Sequence, residues 1–303
     1  MRNLNTKDGL SLSELSLGCM NLPTDDKAEA EKIIEAALSA GITYFDTADL
    51  YQFGENEQMV GEILSKYRSQ YNFTIGTKVG NQFDAAKQEK IAWNPGASYI
   101  KEAVKDSLHR LGIDQIDLYQ LHGGTIEDDK DETIQAFEDL KQDGVIRSYG
   151  ISSIRMNVID YYRKHSSMAT LMMQFNPIDN RPLEVMETLG DIRPLARGPV
   201  MKGLMSHKSS KVLEEKFESG ILDYSKDELK ESIDALARLN SDLTALSYAF
   251  LRKNNAVIVN GVSSLEQLND NLKSYGKTED LTEQEYSRIL KAVKTLKYGE
   301  HRI

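Results

Sequence analysis

Cys19 is the single cysteine in a chain of 303 residues, which rules out an internal disulfide and a thiolate metal cluster and fits a reducing compartment. A small, buried, apolar role is expected for it. Long apolar runs are missing too. No segment approaches the roughly 20 apolar residues that a bilayer helix requires, and the opening MRNLNTKDGLSLSELSLGCM has no stretch of signal-peptide length. A cytoplasmic location with no membrane partner is therefore expected. Cations are in deficit: 37 basic against 47 acidic residues give a net charge of -10, unfavourable for a phosphate backbone or an anionic lipid surface. Nucleic acid is not an expected partner. His109, His165, His207 and His301 show no metal-ligand spacing, so no metal is expected. The glycines form neither G-x-G-x-x-G nor a phosphate-loop lysine motif, which removes the usual phosphate-cradling sequences.

What is present is an ordinary globular balance, 40% hydrophobic and 28% charged residues, with a strict alternation of short apolar segments and helical patterns. The candidate strands are Leu15 to Met20, Ile42 to Thr47, Phe73 to Val79, Ile116 to His122, Ile146 to Ser152, Leu171 to Phe175, Ile192 to Leu195 and Ala256 to Val262. Between the first two, Ile33, Ile34, Ala37 and Leu38 share one helical face that Gly41 closes. Between the third and fourth, Ile100, Val104, Leu108 and Leu111 form a stripe ahead of Gly112. Eight strand-helix units with no Pro/Ser-rich linker predict an α/β chain, a single (β/α)8 TIM barrel domain over 1-303. Asp8-Gly9 predicts a short N-terminal hairpin. Two connections are long, Gly80 to Ala97 after strand three and Gly198 to Ser241 after strand seven; the second, with its charged helical stretches, is expected to form a structured excursion over the mouth. Its run from Lys211 to Glu218 reads as a solvated helix face. Trp93, the only tryptophan, lies with Phe83 in the first long connection, where loop packing and a substrate wall are equally open readings.

In such barrels the side chains at the C-terminal strand ends line the active-site mouth. Asp46 and Tyr51 follow strand two, Lys78 ends strand three and His122 ends strand four. Together they suit carbonyl reduction. A tyrosine with an ordinary pKa near 10 needs a neighbouring cation before it can shuttle a proton to a carbonyl oxygen. Lys78 can be that cation, Asp46 can hold it, and His122 can orient the carbonyl by a hydrogen bond.

The stretch Phe45-Asp46-Thr47-Ala48-Asp49-Leu50-Tyr51 running on to Asn56, Glu57 and Gly61 resembles the signature of the aldo-keto reductase superfamily. Thr77-Lys78, DSLHRLGIDQIDLYQLH ending at His122, Gly150-Ile151-Ser152, Gln174-Phe175-Asn176-Pro177, Pro194-Leu195 and Gly261-Val262-Ser263-Ser264 extend the match over nearly the whole chain. The resemblance implies a catalytic tetrad of Asp46, Tyr51, Lys78 and His122. It also implies a nicotinamide cofactor bound without a Rossmann domain: Gly18 and Met20 at the first strand end, Asp46 on the ribose side, Ser152, Ser153 and Gln174 around the carboxamide, Leu195 near the pyrophosphate, and Ser263, Gln267 and Asn271 around the adenosine. The implied activity is NAD(P)H-dependent reduction of a small aldehyde or ketone.

Three departures from the family pattern bear on this reading. Ser153 stands where many members have asparagine; Ile192 offers apolar contact where many members have a stacking aromatic after strand seven; and Gly123-Gly124 after His122 suggest an open or flexible mouth. The adenosine-side segment offers two hydroxyls and a helix start but no basic residue. With the resemblance these favour NADPH over NADH as cofactor. Two other functions compete. A Schiff-base aldolase would use Lys78 as its nucleophile, and a cofactor-sensing regulatory subunit of the same fold would catalyse slowly. The substrate's identity and the oligomeric state are not set by the sequence.

Overall fold

A computed structural model of the chain describes residues 1–299 and 302; His301 lies outside the described residues. The chain opens with an antiparallel hairpin, β1 (Asn3–Asn5) and β2 (Ser11–Ser13), turned at Gly9 with φ 79°. The barrel begins with β3 (Leu15–Gly18), β4 (Tyr44–Asp46) and β5 (Thr74–Val79). A second hairpin, β6 (Asn81–Asp84) and β7 (Glu89–Trp93), occupies the first long connection. The barrel resumes with β8 (Ile116–Leu121), β9 (Ile146–Ser152), β10 (Thr170–Gln174), β11 (Arg193–Arg197) and β12 (Val257–Gly261). All pairings around it are parallel, and β12 pairs with β3 to close it. The expected (β/α)8 barrel is the observed fold, each strand falling within two residues of its expected start and end.

Burial follows from the strand period of two and the helix period of 3.6. Outward strand residues pack against the amphipathic helices in two large clusters, one of which includes Ile33, Ile34, Ala37 and Leu38 of the helix Lys27–Ser39 and the other Ile100 and Val104 of the helix Ala97–Leu111. Inward residues near the strand starts form a third cluster, in which Leu10 and Leu12 of the N-terminal hairpin meet Tyr44, Leu118, Met172, Leu195, Val257 and Val259. That hairpin plugs one end of the barrel, so the other end is the mouth. After β11 the excursion holds the helices Ser209–Lys216 and Lys226–Leu239, whose Val212, Leu213, Leu229, Ile233 and Leu236 join the first large cluster. Lys211 and Glu215 pair on its solvent face.

One glycine fixes a helix-to-helix distance. Gly61, inside the helix Glu55–Ser65, faces the last turn of the helix Ala97–Leu111, and a Cβ there would stand 2.4 Å from the Leu111 carbonyl oxygen. Backbone cannot rotate away as a side chain can. Alanine would gain about 1 kcal/mol of helix propensity, but overpacking of this kind costs roughly 1–3 kcal/mol. We expect Gly61→Ala to be destabilised in urea denaturation by up to about 2 kcal/mol; a variant more stable than the parent would contradict the close approach.

Candidate active site

Strand register gathers the four chemistry-bearing residues. Asp46 ends β4, Lys78 is the penultimate residue of β5, and His122 follows β8; Lys78 pairs with Gln120 across the strands. The Lys78 ammonium donates to Asp46 Oδ2 at 2.6 Å and to the Thr47 carbonyl at 2.6 Å. Both charges are removed from water, Lys78 being 1% and Asp46 4% exposed. Sequence reasoning passed over two further donors to this carboxylate, the Tyr44 hydroxyl at 3.0 Å and the Gln120 amide at 3.4 Å on Oδ1. Burial alone would lower the Lys78 pKa, but Asp46 and Tyr51, by charge and hydrogen bonding, hold it above its ordinary value. The amine therefore stays an ammonium. Schiff-base chemistry needs the free amine, so the site does not suit the aldolase reading.

Tyr51 opens a short turn, Tyr51–Gly54, in which Gln52 and Phe53 take φ of 44° and 52°. Such left-handed backbone costs roughly 1–3 kcal/mol per residue, and the surrounding packing maintains it: the Phe53 ring lies 6.0 Å from Phe83 of the β6–β7 hairpin. The turn carries the half-buried phenol over the ion pair, with Lys78 Nζ 5.1 Å from its ring centroid. His122 meets the same ring edge-on at 5.8 Å and 82°. Burial, then the charges of Lys78, Arg197 and Lys90, pulls the His122 pKa down to about 3. The imidazole is neutral at physiological pH, with one ring N–H to donate. Its Nδ1 is buried with no hydrogen-bond partner in the protein.

The remaining signature residues build the wall behind this group. Asn56 accepts from the Thr47 hydroxyl at 2.7 Å and donates to the Cys19 carbonyl at 2.9 Å. The fully buried Glu57 accepts from the Thr77 hydroxyl at 2.5 Å and from Arg110 Nε at 2.7 Å. Asn176 stitches two strand ends together: its amide donates to the Gly198 carbonyl at 3.0 Å and its oxygen accepts from Ile178 and Asp179 N–H. Cys19 is fully buried and burial raises its thiol pKa strongly.

The expected cofactor positions divide. Gly18 pairs with Asp46 on one side and Gly261 on the other, and a Cβ on Gly18 would lie 3.4 Å from the Gly261 nitrogen. Gly18 is buried in that pairing, while Gly261 is exposed at the strand end. Met20 is 53% exposed at the rim. Ser152 ends β9 and Gln174 ends β10, both half-buried, and the Gln174 oxygen accepts from Arg197 at 3.0 Å. Ser263 and Gln267 lie exposed beyond β12, bonded to each other, and Asn271 is one helical turn further on.

Several expectations need correction. Leu195 is fully buried in the plugged-end cluster, because its inward strand position lies below the mouth. Ile192 precedes β11 and packs outward among helices; the residue at the mouth end of that strand is the exposed Arg197. Ser153, by contrast, is placed beside Ser152 at the end of β9, buried, with its hydroxyl accepting from Arg155 N–H at 3.2 Å. Gly123 and Gly124 are tightly covered: Cβ atoms there would meet the Trp93 ring at 3.1 Å and Val158 at 2.6 Å. Trp93 also roofs Gly80 and donates to Asp128 at 2.9 Å.

The model of the Aldo/keto reductase family matches residues 14–294. The chain belongs to the aldo/keto reductase family. It is 45% identical over 308 residues to the uncharacterized oxidoreductase YqkF of Bacillus subtilis (strain 168), covering 99% of each chain. Against the aldo-keto reductase YhdN of the same organism it is 30% identical, over 66% of this chain and 62% of that one. The solved aldo-keto reductase AKR11C1 from Bacillus halodurans, in its holo form, superposes with TM-score 0.92 at 43% identity over 100% of both chains. As an aldo/keto reductase the protein is an oxidoreductase that reduces carbonyl groups with a nicotinamide cofactor. The exposed backbone at Gly261, the half-buried Ser152 hydroxyl and Gln174 amide, and the partnerless His122 Nδ1 suit such a group. Among the described residues no cluster of three or more metal-ligating side chains occurs, and no helix is long and apolar enough to cross a membrane.

Asp49, two residues ahead of Tyr51, carries a testable consequence. It is 1% exposed, and its carboxyl oxygens have no well-formed hydrogen bond, the adjacent Leu50 N–H being the one donor that bears on them. Burial, then the neighbouring Glu57, raises its pKa well above the usual carboxylate value, with Arg110, the Leu50 N–H and Lys78 opposing. A carboxyl raised in the folded state binds its proton more tightly there than in the unfolded chain. It therefore contributes stability below pH about 4 that is lost as pH rises towards the folded value. Asp49→Asn removes that titration. Denaturation free energies at pH 5 and pH 8 should show the variant gaining on the parent with rising pH, by at most roughly 1.4 kcal/mol per pH unit; a difference independent of pH would refute the raised pKa.

Proposed function

We propose that Tyr51 is the proton donor in carbonyl reduction, with Lys78, Asp46 and His122 as its supporting groups. The observation carrying this is the buried Lys78–Asp46 pair directly beneath the Tyr51 ring. The nicotinamide supplies hydride when bound. As negative charge develops on the carbonyl oxygen, the Tyr51 hydroxyl passes it a proton, and the adjacent ammonium lowers the cost of leaving a phenolate behind. Neutral His122 donates a hydrogen bond to the same oxygen and fixes its position without adding a competing acid. Asp46 keeps the ammonium in place and neutralises it between turnovers.

Gly18, Met20, Asp46, Ser152 and Gln174 are proposed to line the nicotinamide half of the cofactor site, and Ser263, Gln267 and Asn271 the adenosine half. NADPH is proposed as the preferred cofactor, supported by the two hydroxyls and the helix N-terminus at Ser263–Leu265. The chain is read as one catalytic domain over 1-303, acting in the cytoplasm on a small aldehyde or ketone. The regulatory-subunit alternative gains no support from a site in which all four groups are assembled.

Tyr51→Phe keeps the ring and removes the proton. Aldehyde reduction should fall about 100-fold or more, while cofactor affinity, measured by titration, stays within about twofold; near-parental turnover would show that Tyr51 is not the acid. For the cofactor, kcat/KM should favour NADPH over NADH at one salt concentration, and Ser263→Asp should erase that preference by placing a carboxylate against the phosphate. Equal values in the parent would contradict the preference.

A further inference from the structure

The adenosine-side turn contains a carboxylate supplied from the opposite end of the sequence. Glu29, in the first turn of the helix Lys27–Ser39, accepts a hydrogen bond from the Leu265 N–H at 3.2 Å across 236 positions. Leu265 is the first residue of the helix Leu265–Gly276, whose N-cap is Ser264. Three other donors at this turn are committed internally. Ser263 N–H and hydroxyl both donate to Gln267 Oε1, at 3.0 and 3.3 Å, and Gln267 N–H donates to Ser264 Oγ at 3.3 Å. The Leu265 N–H is thus a donor that this turn directs to an anionic oxygen from outside its own segment.

The Glu29 carboxylate stands in, chemically, for a phosphate oxygen. Helix N-termini favour anions through their free N–H groups and dipole, and here the anion already present is a protein side chain. It is also held in place. Asp26 caps the backbone of Glu29 at 3.0 Å, Lys32 faces its second oxygen at 3.5 Å, and the side chain is only 29% exposed. The segment from Gly261 to Asn271 has no Lys or Arg of its own, so a second negative charge would share Lys32, already paired with Glu29.

We infer that Glu29 is a specificity-determining residue that limits discrimination between NADPH and NADH, by competing with the ribose 2′-phosphate for the helix N-terminus. This rests on the reading that the 2′-phosphate is received at Ser263–Leu265. A phosphate dianion arriving there must displace the carboxylate from the Leu265 N–H and then sit beside it. NADH brings only a 2′-hydroxyl, which meets no such repulsion. Specificity here is a difference between two affinities, and a repulsive group subtracts from one of them alone.

The test is calorimetric titration of the intact chain with NADPH and with NADH, using no substrate. Glu29→Gln keeps the size of the side chain and removes its charge, and is expected to tighten NADPH binding roughly 5- to 10-fold while moving NADH less than about twofold. Glu29→Lys replaces the carboxylate with a second cation beside Lys32 and is expected to tighten NADPH further. Thermal melts of both variants check that the fold is intact. Ser263→Asp, titrated alongside, separates two kinds of failure. If it weakens NADPH selectively while the Glu29 variants bind as the parent does, the phosphate site stands and the competition is refuted. Should Ser263→Asp leave NADPH binding unchanged, the phosphate site itself is misplaced and the inference falls with it. Equal tightening of both cofactors by Glu29→Gln would also overturn the proposal.

Discussion

The ion pair between Lys78 and Asp46 is the interaction on which the rest of the site depends. Two charges almost wholly removed from water incur a large desolvation cost, which only close geometry and additional hydrogen bonds can offset. The barrel provides both. Neighbouring strands bring the groups to 2.6 Å, and the Thr47 carbonyl, the Tyr44 hydroxyl and the Gln120 amide supply further hydrogen bonds. A fixed ammonium then lies against the face of Tyr51 and beside a histidine held neutral at physiological pH. Were either partner lost, the other would remain as an unpaired buried charge, so the pair is a requirement of structure as much as of chemistry.

A second layer outside the strands determines where Tyr51 can stand. Glu57, tied to Thr77 and Arg110, anchors the helix that follows the Tyr51 turn, and Asn56 ties that helix to Thr47 and the Cys19 carbonyl. The turn itself is strained at Gln52 and Phe53 and is covered by the hairpin that carries Phe83, Lys90 and Trp93. That hairpin therefore acts twice: it packs over the glycines at the mouth and, through Lys90, adds positive potential at His122. Local backbone strain persists here because packing on several sides overdetermines it.

The barrel and the clustering of Asp46, Tyr51, Lys78 and His122 were legible in the sequence because period-two and period-3.6 patterns locate strand ends, and strand ends in this fold face one mouth. What escaped was orientation within strands and pairing across long separations. Leu195 and Ile192 were placed by neighbouring motif residues, whereas their inward or outward sense depends on the register of β11, which periodicity over five residues does not define. Arg197 was overlooked for the same reason. Gly123 and Gly124 suggested looseness because glycine permits it, yet they are small so that Trp93 and Val158 can approach. Tyr44, Gln120 and Glu29 act on partners that only the folded chain brings near, and no local spacing marks them.

The claim that a single buried ion pair sets the acidity of the site is tested most directly by the pH dependence of the single-turnover hydride-transfer rate in Asp46→Asn. Without the carboxylate, Lys78 holds its proton less tightly and the Tyr51 phenolate sees an unbalanced cation, so both effects move the loss of activity to lower pH. The account predicts an alkaline limb shifted down by about one pH unit or more, with a rate at neutral pH reduced roughly tenfold or more. A profile superposing on the parent's in both position and height would contradict it.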